Sequence, residues 1–266
     1  EGLDTHTFNT QLSTSGPGLG TSHYKSATAV KPLLVVGDGV RSYDAGEAWF
    51  QLDQRLGLGP VMVEIARLKS IRLSDYTHLL MVNGRCSGID KSLKERIARW
   101  ISDGGILVAV QGAASWSESL CFNEGGCEKA EDAEAEDAAS MTDMAYGEFD
   151  DQRAQRTIGG AIVQARVDSS HPVAFGLSSE TPLFRGGTTL LQGSDNPFST
   201  PVRYTDSPLL SGYIGQERLS EMAGQPAVIA ERQGKGLIVR FANNPLFRGF
   251  WRGNERLWVN AIYFGP

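Results

Sequence analysis

The stretch GGILVAVQGAASW, residues 104–116, decides the fold of this chain. It is an apolar run of strand length without alternation, opened by two glycines and followed by small residues. A strand that is apolar on both faces must be covered on both, which is typical of the middle of a parallel sheet flanked by helices. The small residues allow a sharp turn into a helix, the place where α/β enzymes hold a nucleophile. Because Gln111, Gly112, Ala113 and Ala114 are not nucleophiles, the stretch predicts an elbow without a catalytic group.

Alternating strands and helices precede this run. Residues 90–102 carry apolar side chains at helical spacing with charged ones between them, and the Gly pair at 104–105 ends that helix. The order of elements predicts an α/β fold with three layers and a doubly wound, mostly parallel sheet. The predicted elements before residue 104 are strands at 31–39, 60–65 and 77–83 and helices at 45–56 and 90–102.

The pattern divides the chain into a tail and one domain. Residues 1–30 are rich in Ser, Thr and Gly, which predicts a linker or a surface-wrapped tail, and residues 31–266 form the α/β domain. A β-rich insertion at about 159–205 is expected on the sheet edge. Its predicted strands are 161–167, 190–192 and 201–204, and the final segment returns to the core with strands at 227–231 and 237–242 and a helix at 257–264.

Composition narrows the function classes. The 266 residues are 41% hydrophobic, enough for a sizeable core, and the net charge of −6 is concentrated in an acidic insertion at 128–151 with ten Asp or Glu and one Lys. This insertion is expected to be a solvated helix or loop; it lacks the Asp/Asn spacing of a calcium loop. The absence of a basic run argues against nucleic-acid partners, and no apolar run reaches the roughly 18–20 residues that span a bilayer. Since the chain begins with Glu1, we expect it to be a piece of a longer protein.

Cysteine and histidine spacing indicates no metal site and no cofactor. Cys121 and Cys127 flank a Gly pair that could close a disulfide, with two free thiols as the alternative, and Cys86 is expected to be a packed thiol. No His has a second His or a Glu at zinc-ligand spacing. The Gly-Asp-Gly at 37–39 lacks the third glycine of a dinucleotide fingerprint.

Polar residues follow four of the predicted strands. Asp38, Asn83, Gln111 and Asn244 would meet at the carboxyl edge of the sheet, where open α/β sheets bind ligands. The alternative is that Gly, Asn and Asp stand there for turn geometry.

The tail after the last strand concentrates aromatic and Arg side chains. Phe247, Arg248, Trp251 and Arg252 form a candidate interaction surface, because Trp and Arg dominate interface hot spots. The alternative is that the aromatic rings pack under the sheet and the arginines tie down loops.

Three segments resemble the class I glutamine amidotransferase-like (flavodoxin-like) fold. Residues 77–84 resemble its strand ending in a Gly turn, residues 108–115 its Gly-x-Cys-x-Gly elbow, and residues 241–246 its Phe-His-Pro-Glu segment. This chain has Gln111 or Gly112 at the nucleophile, Asn244 at the histidine and Leu246 at the acid. The resemblance therefore implies the fold without the Cys-His-Glu triad, and no catalytic residue is predicted.

A second resemblance extends over about residues 32–266. It is to the C-terminal domain of secreted bacterial zinc carboxypeptidase-like proteins of the carboxypeptidase A superfamily, whose zinc ligands include a His-x-x-Glu pair in a separate N-terminal domain. No His-x-x-Glu occurs here. The segments that carry the resemblance are VGDGV at 36–40, SYDAGE at 42–47, DSSHPV at 168–173, GKG at 234–236 and NPLFRGFWRG at 244–253.

The second resemblance implies a non-catalytic accessory domain that is secreted or periplasmic. Its expected partners are the N-terminal peptidase domain of the same protein and a peptide or cell-wall-derived ligand. Two alternatives remain open. The carboxyl-edge crevice could make the chain a small-molecule or peptide binding module, or Asp38 or Glu47 could act with His171 in a hydrolase with unfamiliar catalytic residues.

Overall fold

Nine strands form one continuous sheet in the computed structural model, which describes residue 4 and residues 6–21, 29–120, 122 and 149–264. In chain order the strands are β1 Pro32–Val36, β2 Val61–Glu64, β3 His78–Met81, β4 Ile106–Val110, β5 Ala161–Val167, β6 Glu180–Arg185, β7 Val202–Gly212, β8 Pro226–Gln233 and β9 Gly236–Phe241. The α-helices are α1 Ser42–Trp49, α2 Ile65–Leu68, α3 Lys91–Ser102, α4 Gly112–Glu118, α5 Phe149–Arg156, α6 Gln216–Met222 and α7 Arg252–Tyr263.

The parallel half of the sheet has the flavodoxin-like strand order. Strands β2, β1, β3, β4 and β9 lie side by side and all run in parallel, so the parallel strands follow the order 2-1-3-4-5. This order confirms the predicted α/β fold class. It also places β4 in the interior of the parallel sheet, as its apolar sequence predicts.

Helices cover both faces of the parallel strands. On one face α1 and α7 pack in a core that contains Val108 and Trp258, and on the other face α2, α3 and α4 pack in a core that contains Leu107 and Ile97. All five residues of β4 are buried, because alternate side chains enter the two cores. The three layers therefore follow from one strand that is apolar on both sides.

The other half of the sheet is antiparallel. Strand β8 returns from β9 through a hairpin, and β7, β5 and β6 extend the sheet with each neighbour reversed. At the start of β9 Gly236 touches α3, where an added Cβ would lie 2.0 Å from the Ile101 carbonyl oxygen. Only glycine fits that approach.

Two predicted elements of the β-rich insertion need correction. Residues 190–192 form no strand, although Leu191 is buried, and the strand β6 was not predicted. Pro182 interrupts the strand pattern of β6 but is tolerated there because β6 is the edge strand of the sheet. Strand β7 also continues eight residues beyond the predicted end at 204.

Helix boundaries differ from the sequence expectation at two places. The predicted helix at 45–56 is α-helical only to Trp49 and then widens to a π-helix over Phe50–Arg55, in which Leu56 N donates to Gln51 O. Helix α7 begins five residues before the predicted start at 257. The helix predicted at 90–102 is confirmed as α3, and the Asp90 side chain caps it by accepting from Leu93 N at 3.0 Å.

Some predicted features lie outside the described residues. These are the pairing of Cys121 with Cys127 and most of the acidic insertion at 128–151. Among the helices that the structure describes, none combines the length and the apolar character that a membrane crossing requires.

Candidate functional site

The turn after β4 holds Gln111 in a backbone conformation that is rare for a residue with a side chain. Its φ is 51° and its ψ is −116°, and it is the residue immediately before α4. Such strained residues persist only where the surroundings impose them. Gln111 N donates to Phe241 O at 2.7 Å, and the side-chain Nε2 donates to Gly186 O at 2.5 Å. Gln111 thus stands at the elbow with its amide already bound.

The loop after β3 is packed against this elbow. Asn83 Oδ1 accepts a hydrogen bond from Gly112 N at 3.2 Å. A Cβ on Gly112 would lie 2.6 Å from the Gly84 carbonyl oxygen, so the two loops approach as closely as backbones can. Gln111, rather than Gly112, carries the strained conformation, which places Gln111 at the position of the elbow nucleophile.

Replacing Gln111 by Gly and by Ala separates the strain from the side-chain contact. Both variants lose the hydrogen bond to Gly186, but only glycine adopts a positive φ without steric cost. We expect Gln111→Gly to be more stable than Gln111→Ala by about 1–2 kcal/mol in urea unfolding. Equal stabilities would show that the elbow relaxes once the amide is removed.

Asn244 links the end of β9 to α1. Its Nδ2 donates to Glu47 Oε2 at 2.6 Å, and its Oδ1 accepts from Leu246 N at 2.9 Å. The other Glu47 oxygen accepts from Arg248 N at 2.7 Å. Burial raises the pKa of Glu47, although the hydrogen bonds from Asn244 and Arg248 oppose that effect.

Asp44 is a second carboxylate at this edge, and sequence reasoning did not select it as a site residue. It lies three residues before Glu47 on α1, so both side chains are on the same side of the helix. Burial raises the pKa of Asp44, and the Arg41 charge and a hydrogen bond with the Asn83 side chain oppose the increase. The signal in the sequence is the spacing of two acids on the helix that follows β1.

The four residues of the predicted crevice all lie at the carboxyl edge, but their environments differ. Asp38 is exposed in the loop after β1, whereas Gln111 and Asn244 are buried and Asn83 is partly buried. The side chains of the last three are engaged in the hydrogen bonds described above. Ligand binding by this crevice stays a prediction.

His171 is far from this edge, which corrects the proposed hydrolase pairing. It follows β5, and β5 runs antiparallel to the core strands, so its carboxyl end lies at the opposite edge of the sheet from Asp38 and Glu47. Cys86 is also unsuitable as a nucleophile, because burial raises the pKa of its thiol to about 12. Within the described parts of the chain, no group of three or more His, Cys, Asp or Glu side chains could hold a metal ion.

The predicted interaction surface forms a small aromatic cluster beside the carboxyl edge. The Phe247 ring stacks on Phe184 at 3.7 Å between centroids, and Arg248 lies 5.2 Å from the Phe247 centroid. Arg248 and Arg252 are exposed, whereas Phe247 and Trp251 are partly buried. The rings therefore pack on the domain while both guanidinium groups face solvent, so the two sequence-based alternatives each describe part of this surface.

Arg185, which sequence reasoning missed, anchors the segment that meets the elbow. It is 1% exposed at the end of β6. Its Nη1 donates to the Tyr204 hydroxyl, Asn243 Oδ1 and Ala242 O, and its Nη2 donates to Thr189 O. This residue fixes the chain on both sides of Gly186, whose carbonyl holds Gln111.

Comparisons with solved structures give similar folds at low identity. A ThuA-like protein from Bacteroides uniformis is 14% identical with a TM-score of 0.48, covering 91% of this chain and 93% of that chain. A GMP synthase subunit from Thermoplasma acidophilum is 14% identical with a TM-score of 0.48, covering 88% and 94%. A ThuA-like protein from Parabacteroides merdae is 13% identical with a TM-score of 0.49, covering 88% and 89%.

The sequence matches no protein-family model and no curated protein. At the identities and TM-scores given above, the similar structures say nothing about activity. None of the three is named a zinc carboxypeptidase, so that resemblance stays a sequence-based prediction.

Proposed function

We propose that this chain is a non-catalytic accessory domain with an amidotransferase-like fold, belonging to a secreted or periplasmic zinc carboxypeptidase-like protein. The observation that carries the non-catalytic part is the elbow. Gln111 occupies the strained position and gives its amide to Gly186 O. The carboxypeptidase context rests on the resemblance of the segments at 36–47, 168–173 and 234–253 alone.

The chemistry of the edge supports this proposal. Acyl transfer needs a nucleophile and a base that takes up its proton. A carboxamide at the elbow supplies neither, and the neighbouring Asn244 cannot act as a base in place of a histidine. Glu47 could accept a proton, but both of its oxygens are occupied by Asn244 and the Arg248 backbone. The same groups that would form a triad here hold loops together.

The accessory role assigns the aromatic cluster to a protein contact. Phe247 and Trp251 present large rings beside the exposed guanidinium groups of Arg248 and Arg252. Trp and Arg are the side chains that contribute most to interface affinity when a partner removes them from water. The expected partner is the peptidase domain of the same protein, and a peptide or cell-wall-derived ligand would be presented between the two.

Calorimetric titration of the chain against that peptidase domain tests the proposal. We expect one-to-one binding with a Kd of about 1 μM or tighter, and a loss of at least about tenfold in affinity for Trp251→Ala and for Arg252→Ala. Phe198→Ala removes an exposed ring at the opposite edge and is the matched control, with unchanged affinity. No binding would contradict the accessory role.

An activity assay separates the accessory role from an enzyme. Turnover of an amide, ester or peptide by the isolated chain, abolished by Gln111→Ala or Glu47→Gln, would overturn the non-catalytic proposal. Background rates that are equal in the wild type and in both variants would support it.

A binding module at the carboxyl edge is the second candidate, and backbone strain favours it. The three non-glycine residues with positive φ among the described residues are Cys86, Gln111 and Arg248, which lie in loops after β3, β4 and β9. Strained residues cluster at ligand sites more often than elsewhere. A ligand that raises the melting temperature of the isolated chain without turnover would favour this candidate over the accessory domain.

A further inference from the structure

A groove of about 360 Å³ lies at the edge of the sheet opposite the elbow. Its floor is formed by the end of β8 and the start of β9, and its walls by the turns at 171–173 and 196–199 and by Phe264 after α7. The volume is at the small end of the range of ligand pockets, roughly 300–1,000 Å³. None of the residues proposed to act at the carboxyl edge lines it.

The floor of the groove is positively charged. Side chains alternate along β8, so Arg232 projects from the same face as Ala230, next to Leu237 of β9. The guanidinium is exposed and forms no ion pair with any residue that the structure describes. Glu231 projects from the other face, where Arg240 Nη1 donates to its Oε2 at 2.6 Å. The one carboxylate of the floor is therefore neutralised away from the groove.

His171 adds a hydrogen-bond donor to the wall. Its Nδ1 accepts from Val173 N at 3.1 Å, which requires that Nδ1 carries no proton. The ring proton is then on Nε2, which remains free to donate. Burial lowers the pKa of His171, so the neutral form with this fixed tautomer prevails near pH 7. The neighbouring Asp168 carboxylate is held by Ser170, whose N–H and hydroxyl both donate to it.

Two aromatic rings form the apolar part of the groove. Phe198 is 80% exposed although the turn that carries it is well fixed, since Asn196 Oδ1 accepts from Phe198 N at 3.1 Å. Phe264 is 50% exposed and is held by an edge-to-face contact with Phe175. Exposed rings on fixed backbones offer contact area to a flat apolar partner at little entropic cost.

We propose that this groove is a binding site for a small organic carboxylate with a flat apolar body. The body would lie against the rings of Phe198 and Phe264, and the carboxylate would accept hydrogen bonds from Arg232 and from His171 Nε2. A planar guanidinium matches a carboxylate with two parallel hydrogen bonds. A cationic ligand would be repelled by Arg232, and a neutral ligand would leave both donors unused.

Titration followed by NMR of the imidazole signals of the full chain tests this site. The probes are 3-phenylpropionate and its uncharged amide, which share one apolar body. We expect saturable shifts of the His171 signals with the acid, and binding of the amide weaker by at least about tenfold. N-acetyl-phenylalanine as a third probe distinguishes the two sources of such a group: tighter binding than 3-phenylpropionate indicates a peptide carboxyl terminus, and weaker binding indicates a free aryl acid.

Matched variants make the test specific. Arg232→Gln keeps most of the side-chain length and should reduce the preference for the acid over the amide to about one, whereas Phe198→Ala should weaken both probes by a similar factor. Arg203→Gln removes another exposed arginine, on β7 outside the groove, and should change nothing. Equal affinity for acid and amide in the wild type, no saturable shift at His171, or unchanged binding in Arg232→Gln would overturn the proposal.

Discussion

Arg185→Ala is expected to lower the free energy of unfolding by about 3–5 kcal/mol. The guanidinium is buried at the end of β6 and lies 5.6 Å from the Tyr204 ring centroid, with four hydrogen bonds to β7, to the end of β9 and to Thr189. Removing it leaves the carbonyl oxygens of Thr189 and Ala242 without these donors and opens a cavity. A buried acceptor that loses its donor costs about 1–3 kcal/mol, and the cavity adds to that.

Urea unfolding monitored by tryptophan fluorescence measures this change. Arg203→Ala, an exposed arginine on the adjacent region of the sheet, is the matched control and should change stability by no more than about 0.5 kcal/mol. A loss below about 1 kcal/mol in Arg185→Ala would mean that the desolvation cost of the buried charge cancels its hydrogen bonds. The predicted loss instead requires that the network around Asn243 and Tyr204 outweighs that cost.

Lowering the pH from about 6.5 to about 4 is expected to destabilise the fold through His78 by up to about 3 kcal/mol. This side chain is 2% exposed at the start of β3, and its Nδ1 is 2.8 Å from the Thr77 hydroxyl oxygen. Burial lowers its pKa from 6.5 to about 4. Between these two values the unfolded chain binds a proton that the folded chain excludes, so stability falls as pH falls. Above about pH 6.5 the imidazole is neutral in both states and contributes no slope.

The difference between wild type and His78→Asn isolates this contribution from the carboxylates that also titrate on acidification. We expect the variant to show a shallower decline of unfolding free energy over the same pH interval, measured by urea titrations at half-unit steps. His6→Asn removes an imidazole from an exposed position in the tail and serves as the control. Parallel curves for wild type and His78→Asn would contradict the prediction.

The elbow and its surroundings show why a site can keep its geometry without its chemistry. The strained turn at Gln111 is held from three sides: by Phe241 O, by the approach of Gly112 to Gly84, and by Gly186 on the segment that Arg185 anchors. These contacts would position a nucleophile equally well. With a carboxamide in its place, they join the parallel and antiparallel halves of the sheet.

Residues 104–116 were enough to predict the fold class and the empty elbow. An apolar run without alternation can be buried only between two layers, and small residues after it permit a sharp turn, so both conclusions depend only on neighbours along the chain. The strands β1, β3, β4, β8 and β9 and the helix α3 were predicted for the same reason. The edge strand β6 was missed because Pro182 breaks the local pattern, and an edge strand tolerates that break.

The partners of the site residues could not be predicted in this way. Gln111 binds a carbonyl 75 residues away and Asn244 binds a carboxylate 197 residues away, and no local pattern encodes which distant group arrives. The strand directions that send His171 to the far edge, and the burial that isolates Arg185, also result from how the whole sheet is ordered. Periodicity and turn chemistry along the chain thus settle which elements form and which reactive groups the elbow lacks. The tertiary structure decides which side chains meet, because hydrogen bonding and desolvation depend on distances in space and not on distances along the chain.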